Sequence, residues 1–215
     1  MDKGIVLEQL KKLGARKRNF TQRVDLIVNL KDLDLKKPEQ QVDFFTALPH
    51  GIGKKIRVCA FIAPDLKDEA EKVCDAIILQ EDFQKYAKDK KLVKKLARQY
   101  DFFIAQASVM PQVAASFGRI LGPRNKMPNP KAGCVVALKT AVKPLYDKLQ
   151  GTIRVSARAN PVVQCPVGNE AMKSDDLAEN IVNVYDQIVH HLPSEENNVR
   201  SVYLKLTMGS PVKLK

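Results

Sequence analysis

The stretch IRVCAFIA, residues 56–63, decides the fold, because it is an almost unbroken apolar run that follows the breakers of PHGIGKK. Three further short apolar runs come after it: AIIL (76–79), DFFIAQ (101–106) and CVVAL (134–138). Polar segments of helix length separate the four runs, as in parallel sheets whose strands are covered by helices on both faces. The middle of the chain is therefore predicted to be a doubly wound α/β/α domain.

On either side of this middle part the hydrophobic period changes to two, which is typical of β-strands with one buried face. Residues 20–30 and 42–48 alternate in this way, and we expect these two strands to pair in one antiparallel sheet. The same pattern returns in TIRVSAR (152–158) and VRSVYLKLT (199–207). Between these last two strands, residues 175–191 have the apolar spacing of a helix.

Both chain ends share the hydrophobic period of two, which predicts one domain that is built from both of them. Residues 1–56 and 152–215 are expected to form a discontinuous α+β domain with a split antiparallel sheet. Residues 57–151 are expected to form an inserted, Rossmann-like α/β domain. The fold class is thus predicted to be α/β, with one domain inserted into another.

The charge of the chain favours a polyanion as partner. The 215 residues include 36 Lys and Arg against 24 Asp and Glu, a formal net charge of +12. Basic and acidic residues number 13 and 7 over residues 1–57, 16 and 10 over 58–150, and 7 and 7 over 151–215. The basic excess therefore lies in the first two thirds of the chain, and nucleic acid is the expected partner.

A membrane is not expected as the partner. No run approaches the roughly 18 apolar residues that a membrane span needs. The basic helices lack the bulky apolar face of an interfacial helix. The first residues also lack the apolar block of a secretory signal, so we expect a cytoplasmic protein.

The cysteines and histidines give no sign of a metal, a cofactor or a catalytic residue. Cys59, Cys74, Cys134 and Cys165 stand far apart without a C-x-x-C pair, and we interpret them as buried free thiols. His50 lies in a predicted turn, and the pair of histidines at 190 and 191 lies at a predicted helix end.

An enzyme is the rival class, because doubly wound domains often hold nucleotides at their strand ends. Neither GIGKK nor GRILGPRNK has the spacing of a phosphate-binding loop, and no nucleophile and base form a pair. We therefore predict no enzymatic activity. A nucleotide-dependent RNA-modifying enzyme stays as the alternative.

Five motifs together resemble the ribosomal protein L-one family of the large subunit. The most specific is GRILGPRNKMPNPKAG (118–133), in which Asn125 stands where the usual family motif LGPRG has glycine. The other four, in chain order, are ALPHGIGK (47–54), CPVGNE (165–170), DDLAENI (175–181) and RSVYLKLTMGSPVKL (200–214). The resemblance covers nearly the whole chain. The short segment before the first predicted strand and the compact C-terminal end are more similar to archaeal members than to eukaryotic ones.

The resemblance implies a two-domain protein of the mobile stalk beside the exit site for tRNA. The outer domain would bind large-subunit rRNA, and the inserted domain would reach toward departing tRNA. Family members in bacteria and archaea also repress translation of their own mRNA. The implied partners are large-subunit rRNA, exit-site tRNA, the protein's own mRNA and other ribosomal components, and the chain would be a monomer when it is off the ribosome.

The resemblance also implies which residues contact rRNA. Gly209 would let the backbone approach RNA, Met208 would offer an apolar contact to a ribose, and nearby hydroxyls would meet 2′-OH groups. Taken without the family, the same segment is typical of a plain hairpin turn, and Phe20 could equally be a core residue. The predicted rRNA-binding residues are Phe20, Thr21, Arg23, Arg154, Ser201, Thr207, Met208, Gly209 and Ser210.

Two basic surfaces are predicted in the inserted domain. Arg124, Lys126 and Lys131 lie in a proline-rich and therefore stiff loop, which is either a contact to tRNA or other RNA or a structural turn. A helical pattern also places four basic residues on one face, as either a solvated or a phosphate-contacting surface. These four are Lys91, Lys94, Lys95 and Arg98.

Overall fold

The computed structural model describes residues 1–14, 18–37, 40–137 and 141–215. The chain divides into two compact units, one of Met1–Lys54 with Gly151–Lys215 and one of Lys55–Gln150. We call them the outer unit and the inserted unit. Both combine helices with sheets, so the predicted α/β class is confirmed.

The outer unit contains two antiparallel sheets and two main helices. The elements are α1 (Lys3–Lys12), β1 (Arg23–Leu30), β2 (Val42–Ala47), β7 (Thr152–Ala157), β8 (Val162–Asn169), α7 (Ser174–His190), β9 (Val199–Leu206) and β10 (Val212–Lys213). A four-stranded sheet has the order β10-β9-β1-β8, and a separate two-stranded sheet pairs β2 with β7.

The expectation that the first two strands pair with each other is wrong. Strand β1 lies between β9 and β8, with Leu26 opposite both Leu204 and Cys165, whereas β2 pairs only with β7. The physical reason is that alternation records which face of a strand is buried and not which strand lies beside it. Strand β1 has eight residues, and its partner strands β8 and β9 are equally long.

The core of the outer unit forms where α7 covers the apolar face of the large sheet. Leu26 and Val28 of β1, Leu204 of β9, and Ile181 and Ile188 of α7 are fully buried in one cluster. The predicted one-sided strands therefore bury the expected face and leave the opposite face of the sheet mostly to polar residues such as Asp25, Asn29 and Lys205.

The inserted unit is built on a four-stranded parallel sheet. The elements are β3 (Val58–Ile62), α2 (Lys67–Val73), β4 (Ala76–Leu79), α3 (Phe83–Lys88), α4 (Lys90–Gln99), β5 (Phe102–Gln106), α5 (Met110–Leu121), β6 (Val135–Val136) and α6 (Val142–Gly151). The strand order is β4-β3-β5-β6. All five residues of β3 are buried, as the run at 56–63 predicts.

Aromatic rings fill the core of the inserted unit. Phe61 of β3 lies 5.6 Å from Phe103 of β5 and 4.6 Å from Phe117 of α5, measured between ring centroids. Such contacts add to the free energy of burying the rings and fix the packing of α5 on the sheet.

All four cysteines are free thiols, and Cys59, Cys134 and Cys165 are buried, while Cys74 is partly buried. Burial raises the pKa of the Cys165 thiol to about 12, so this group stays protonated and unreactive at neutral pH. No helix in the described part of the chain is long and apolar enough to cross a bilayer.

Candidate nucleic-acid interface

The segment TMGS forms the turn between β9 and β10. The backbone N–H of Gly209 donates to the carbonyl of Leu206 at 3.0 Å, which closes a β-turn with Thr207 and Met208 at its centre. Gly209 does not have a left-handed φ; the glycines that do are Gly51, Gly53 and Gly133. The constraint at Gly209 is steric, because an added Cβ would lie 3.0 Å from the Cβ of Leu206.

The start of β1 anchors this turn. The backbone N–H of Arg23 donates to the Thr207 hydroxyl at 3.1 Å, and the N–H of Thr207 donates to the Arg23 carbonyl at 3.1 Å. The N–H of Met208 donates to Oε1 of Gln22 at 3.2 Å. Together these bonds hold the turn in one position relative to the large sheet.

Gln22 is a site residue that sequence reasoning missed. Its side chain is 2% exposed, and its Nε2 donates to Glu170 at 3.3 Å while its backbone N–H donates to the same carboxylate at 3.0 Å. Gln22 therefore joins three segments: the entry to β1, the turn after β9 and the end of β8. A polar residue at an apolar position of an alternating strand was the only signal for this role.

Two large apolar side chains are exposed around this anchor. Phe20 is 49% exposed and Met208 is 61% exposed, and the only comparable residue in the described ranges is Ile5. The interpretation of Phe20 as a core residue is therefore wrong. Thr21, Arg23 and Ser210 are also exposed. We call Phe20, Gln22, Arg23, Thr207, Met208 and Gly209 the turn cluster.

Ser201 lies away from the turn, on the outer face of β9. It is buried, and its hydroxyl accepts a hydrogen bond of 2.9 Å from Nδ2 of Asn29. Ser201 therefore bonds to the neighbouring strand β1 and is not part of the exposed turn.

A shallow cavity of about 300 Å³ opens on the outer face of the same sheet. Its lining includes Asp25, Ile27, Gln164 and Lys205. Burial raises the pKa of Asp25, although Arg23 and Lys205 act to lower it. This face therefore offers a carboxylate, an amide and an ammonium group beside apolar walls.

Arg154 does not belong to the turn cluster. It lies on β7, where its Nε donates to Asp43 at 2.8 Å and its guanidinium lies 5.7 Å from the ring centre of Phe45. Burial raises the pKa of Asp43, but hydrogen bonds from Arg154 and Arg158 outweigh this effect and leave that pKa below its usual value. Arg154 therefore has a structural ion pair on the second sheet.

In the inserted unit, the proline-rich loop packs on the end of α4. The Nζ of Lys126 donates to the carbonyls of Ala97 at 2.9 Å and Tyr100 at 2.6 Å, so this ammonium caps the helix C-terminus. Arg124 and Lys131 are exposed. Asn125 has a φ of 55°, a left-handed conformation that asparagine tolerates, and this explains how it replaces glycine in the motif.

The basic face of α4 is formed as predicted. Val93, Leu96 and Ala97 are buried on one side of the helix. Lys91, Lys94, Lys95 and Arg98 are exposed on the other.

A crevice of about 480 Å³ lies at the carboxyl ends of β3 and β4. Glutamines, Ser116 and Glu81 contribute its polar lining, and no Lys or Arg of the described chain lines it. This lining is a poor match for a nucleotide phosphate. No group of three or more His, Cys, Asp or Glu side chains in the described ranges could hold a metal ion.

Comparisons with known proteins agree with the motifs. The family described as "Ribosomal protein L1p/L10e family" matches residues 10–210. The large ribosomal subunit protein uL1 of Pyrococcus horikoshii is 41% identical over 99% of this chain and 96% of its own. The uL1 protein of Thermococcus kodakarensis is 42% identical over 94% of this chain and 92% of its own. The uL1 protein of Methanobrevibacter smithii is 41% identical over 97% of this chain and 98% of its own.

The family match and these relatives place the chain among ribosomal proteins and not among enzymes, as predicted. The chain belongs to the ribosomal protein L1p/L10e family. The resemblance seen in the sequence is thereby confirmed.

Proposed function

We propose that this protein is a structural component of the large ribosomal subunit in the cytoplasm, where the turn cluster binds large-subunit rRNA. The observation that carries this proposal is the exposure of Phe20 and Met208 around a turn that is held rigid by Gln22. The relatives named above are large ribosomal subunit proteins, which supports the assignment.

The chemistry of the turn cluster suits folded RNA. Phe20 can stack on a base or ribose, Met208 can pack on a sugar, and the exposed Arg23 can neutralise a phosphate. Beside the cluster, the exposed hydroxyl groups of Thr21 and Ser210 can bond to 2′-OH groups, which distinguish RNA from DNA. Because the hydrogen bonds to β1 fix the turn before binding, little conformational entropy is lost when RNA docks.

The test is crosslinking in cells followed by sequencing of the bound RNA. We expect one segment of large-subunit rRNA to dominate, with crosslinks mapping to the turn cluster. Purified protein should bind that segment with a steep salt dependence, because basic residues displace counterions from phosphates. A flat dependence of log affinity on log salt concentration would contradict the electrostatic part of the proposal.

The two compact units are proposed to be functional domains, the outer one for rRNA and the inserted one for exit-site tRNA during its release. Arg124 and Lys131 are the proposed tRNA contacts, because both are exposed in a stiff loop. Within the outer unit the two chain segments that flank the inserted residues are hydrogen-bonded to each other, since the N–H of Leu48 donates to the carbonyl of Gly151 at 2.8 Å.

Replacement of residues 55–150 by a short linker should therefore leave a folded outer unit that binds the rRNA segment. Circular dichroism and filter binding would measure this. Loss of the folded signal would contradict the division into independent domains.

The same site is proposed to bind the protein's own mRNA and thereby to repress translation. A surface that contacts sugars, phosphates and RNA shape accepts any RNA with the same fold. Competition between the rRNA segment and the leader of the mRNA would test this. Simultaneous binding of both RNAs to one monomer would contradict a shared site.

A further inference from the structure

The inserted unit has a concentration of positive charge that the turn cluster does not explain. Over α3 and α4, residues 83–99, the sequence contains seven Lys and Arg and a single acidic residue, Asp89. The Asp89 carboxylate accepts a hydrogen bond of 2.8 Å from the N–H of Lys91 and so caps the N-terminus of α4. All seven basic residues are exposed: Lys85, Lys88, Lys90, Lys91, Lys94, Lys95 and Arg98.

Four of these residues form a continuous row. Residues three and four apart are neighbours on a helix, so Lys91, Lys94, Lys95 and Arg98 follow one another along the exposed side of α4. Nη1 of Arg124 donates to the backbone carbonyl of Lys94 at 3.5 Å, which brings a fifth cation next to α4. We call these five residues the α4 basic surface.

The α4 basic surface is not neutralised within the described protein. None of its five residues forms an ion pair with another described residue, although Lys3, Lys12, Lys55 and Lys215 all do. Like charges three and four residues apart destabilise a helix. The C-terminal carbonyls of Ala97 and Tyr100 are already bonded to Lys126, so Arg98 is not required for capping. The four basic side chains of α4 therefore lack a structural role in the described chain that would account for their charge.

We propose that the α4 basic surface binds the phosphate backbone of RNA without regard to base sequence. Protein partners usually provide pockets for exposed aromatic or aliphatic anchors, and membranes require such anchors for insertion. The exposed large apolar residues of the described chain are Ile5, Phe20 and Met208, all outside the inserted unit. A partner that offers only negative charge, such as an RNA backbone, fits this surface better than an acidic protein or a lipid.

This proposal shares its ligand class with the proposed rRNA site, and it shares Arg124 with the proposed tRNA contacts. The α4 basic surface and the turn cluster are therefore tested with different RNAs. An RNA duplex that is unrelated to ribosomal sequences probes the α4 basic surface, and the rRNA segment in an excess of that duplex probes the turn cluster.

The test compares two full-length variants with the same change in net charge. The α4 variant carries Lys91→Glu, Lys94→Glu and Lys95→Glu. The control variant carries Lys67→Glu, Lys72→Glu and Lys143→Glu, which are exposed lysines of α2 and α6 in the same unit. The control lysines are interleaved with acidic residues such as Asp68 and Glu71, so they form no continuous positive row.

We expect the α4 variant to bind the unrelated duplex about tenfold more weakly than the control variant, because a few phosphates are no longer neutralised. The slope of log affinity against log salt should fall by about 0.7–0.9 for each such phosphate. Both variants should bind the rRNA segment like the wild type. A glutamine version of the α4 variant adds no repulsion and should also bind the duplex more weakly than the wild type, which separates lost charge from any disturbance of the helix by glutamate.

Equal weakening in the α4 and control variants would overturn the proposal, because it would show an effect of net charge alone. Binding to polyglutamate, which stands for an acidic protein, is measured alongside. If the α4 variant binds RNA like the wild type but no longer binds polyglutamate, the proposal is overturned and the surface is assigned to an acidic protein. Thermal melts of each variant verify that the protein is folded.

Discussion

The side-chain oxygen of Gln22 accepts a hydrogen bond of 3.2 Å from the backbone N–H of Met208, 186 residues further along the chain. This bond connects the entry of β1 to the turn after β9. It fixes the exposed Met208 near the segment that carries the exposed Phe20. The candidate RNA site therefore depends on a buried polar side chain that does not itself need to contact RNA.

Replacement of Gln22 by alanine should weaken both the fold and RNA binding. The N–H of Met208 and the carboxylate of Glu170 each lose a partner, so we expect a loss of about 1–3 kcal/mol in the free energy of unfolding. The affinity of the folded protein for the rRNA segment should also fall, because the turn loses an anchor. Chemical denaturation and filter binding measure the two effects. Gln112→Ala, at an exposed glutamine of α5, is the control and should change neither.

The substitution Gly209→Val should reduce rRNA affinity much more than stability. Its Cβ would crowd Leu206, and its branched methyl groups would stand where RNA approaches the turn. We expect affinity to fall by more than about tenfold, and the free energy of unfolding by about 1 kcal/mol. Gly118→Ala is a matched control, because its Cβ would meet no atom within 4 Å apart from the backbone of its own helix. In a helix interior this change should raise stability by about 0.5–1 kcal/mol and leave binding unchanged.

Removal of the Met208 side chain should affect binding alone. Met208 is 61% exposed, so Met208→Ala should leave the melting temperature nearly unchanged. Without the packing of this side chain on a ribose, rRNA binding should weaken by about 1–2 kcal/mol. Ile5→Ala removes another exposed apolar side chain of the outer unit, 46% exposed on α1, and should leave binding intact. Equal effects of the two substitutions would contradict a specific role for Met208.

The ion pairs of Asp43 should make stability depend on acidic pH. The pKa of the Asp43 carboxyl group in the folded protein is below the ordinary value of 3.8. The ionised carboxylate therefore stabilises the fold, and this contribution is fully present above about pH 3.8. This contribution is lost as the pH falls through the lower, folded-state pKa. Asp43→Asn should therefore reduce stability at neutral pH and flatten its decline in acid. Denaturant unfolding at several pH values measures this, with Asp147→Asn, at an exposed carboxylate of α6, as the control.

A steep acid decline that persists in Asp43→Asn would contradict this assignment. Such a result would point to other carboxylates, such as Glu179, whose pKa is lowered to about 2 by hydrogen bonds from Lys3 and His50.

Several features of the fold could be predicted from the sequence because they depend only on whether each side chain is buried or exposed. A continuous apolar run predicts β3 with all five residues buried, and period-two alternation predicts the buried face of β1 and β9. The spacing of lysines predicts the exposed face of α4. Hydrophobic burial acts on single side chains, so its period is visible in the sequence.

The sequence by itself determined the fold class, the buried faces and, through five motifs, the family. Tertiary structure alone decided that β1 pairs with β8 and β9 and not with β2. It also decided that Gln22 holds the turn, that Lys126 faces the carbonyls of α4, and that Gly209 is constrained by Leu206 and not by its φ. These features are hydrogen bonds and close approaches between specific partners, most of them far apart in the chain. Local periodicity records burial and contains no information about such partners.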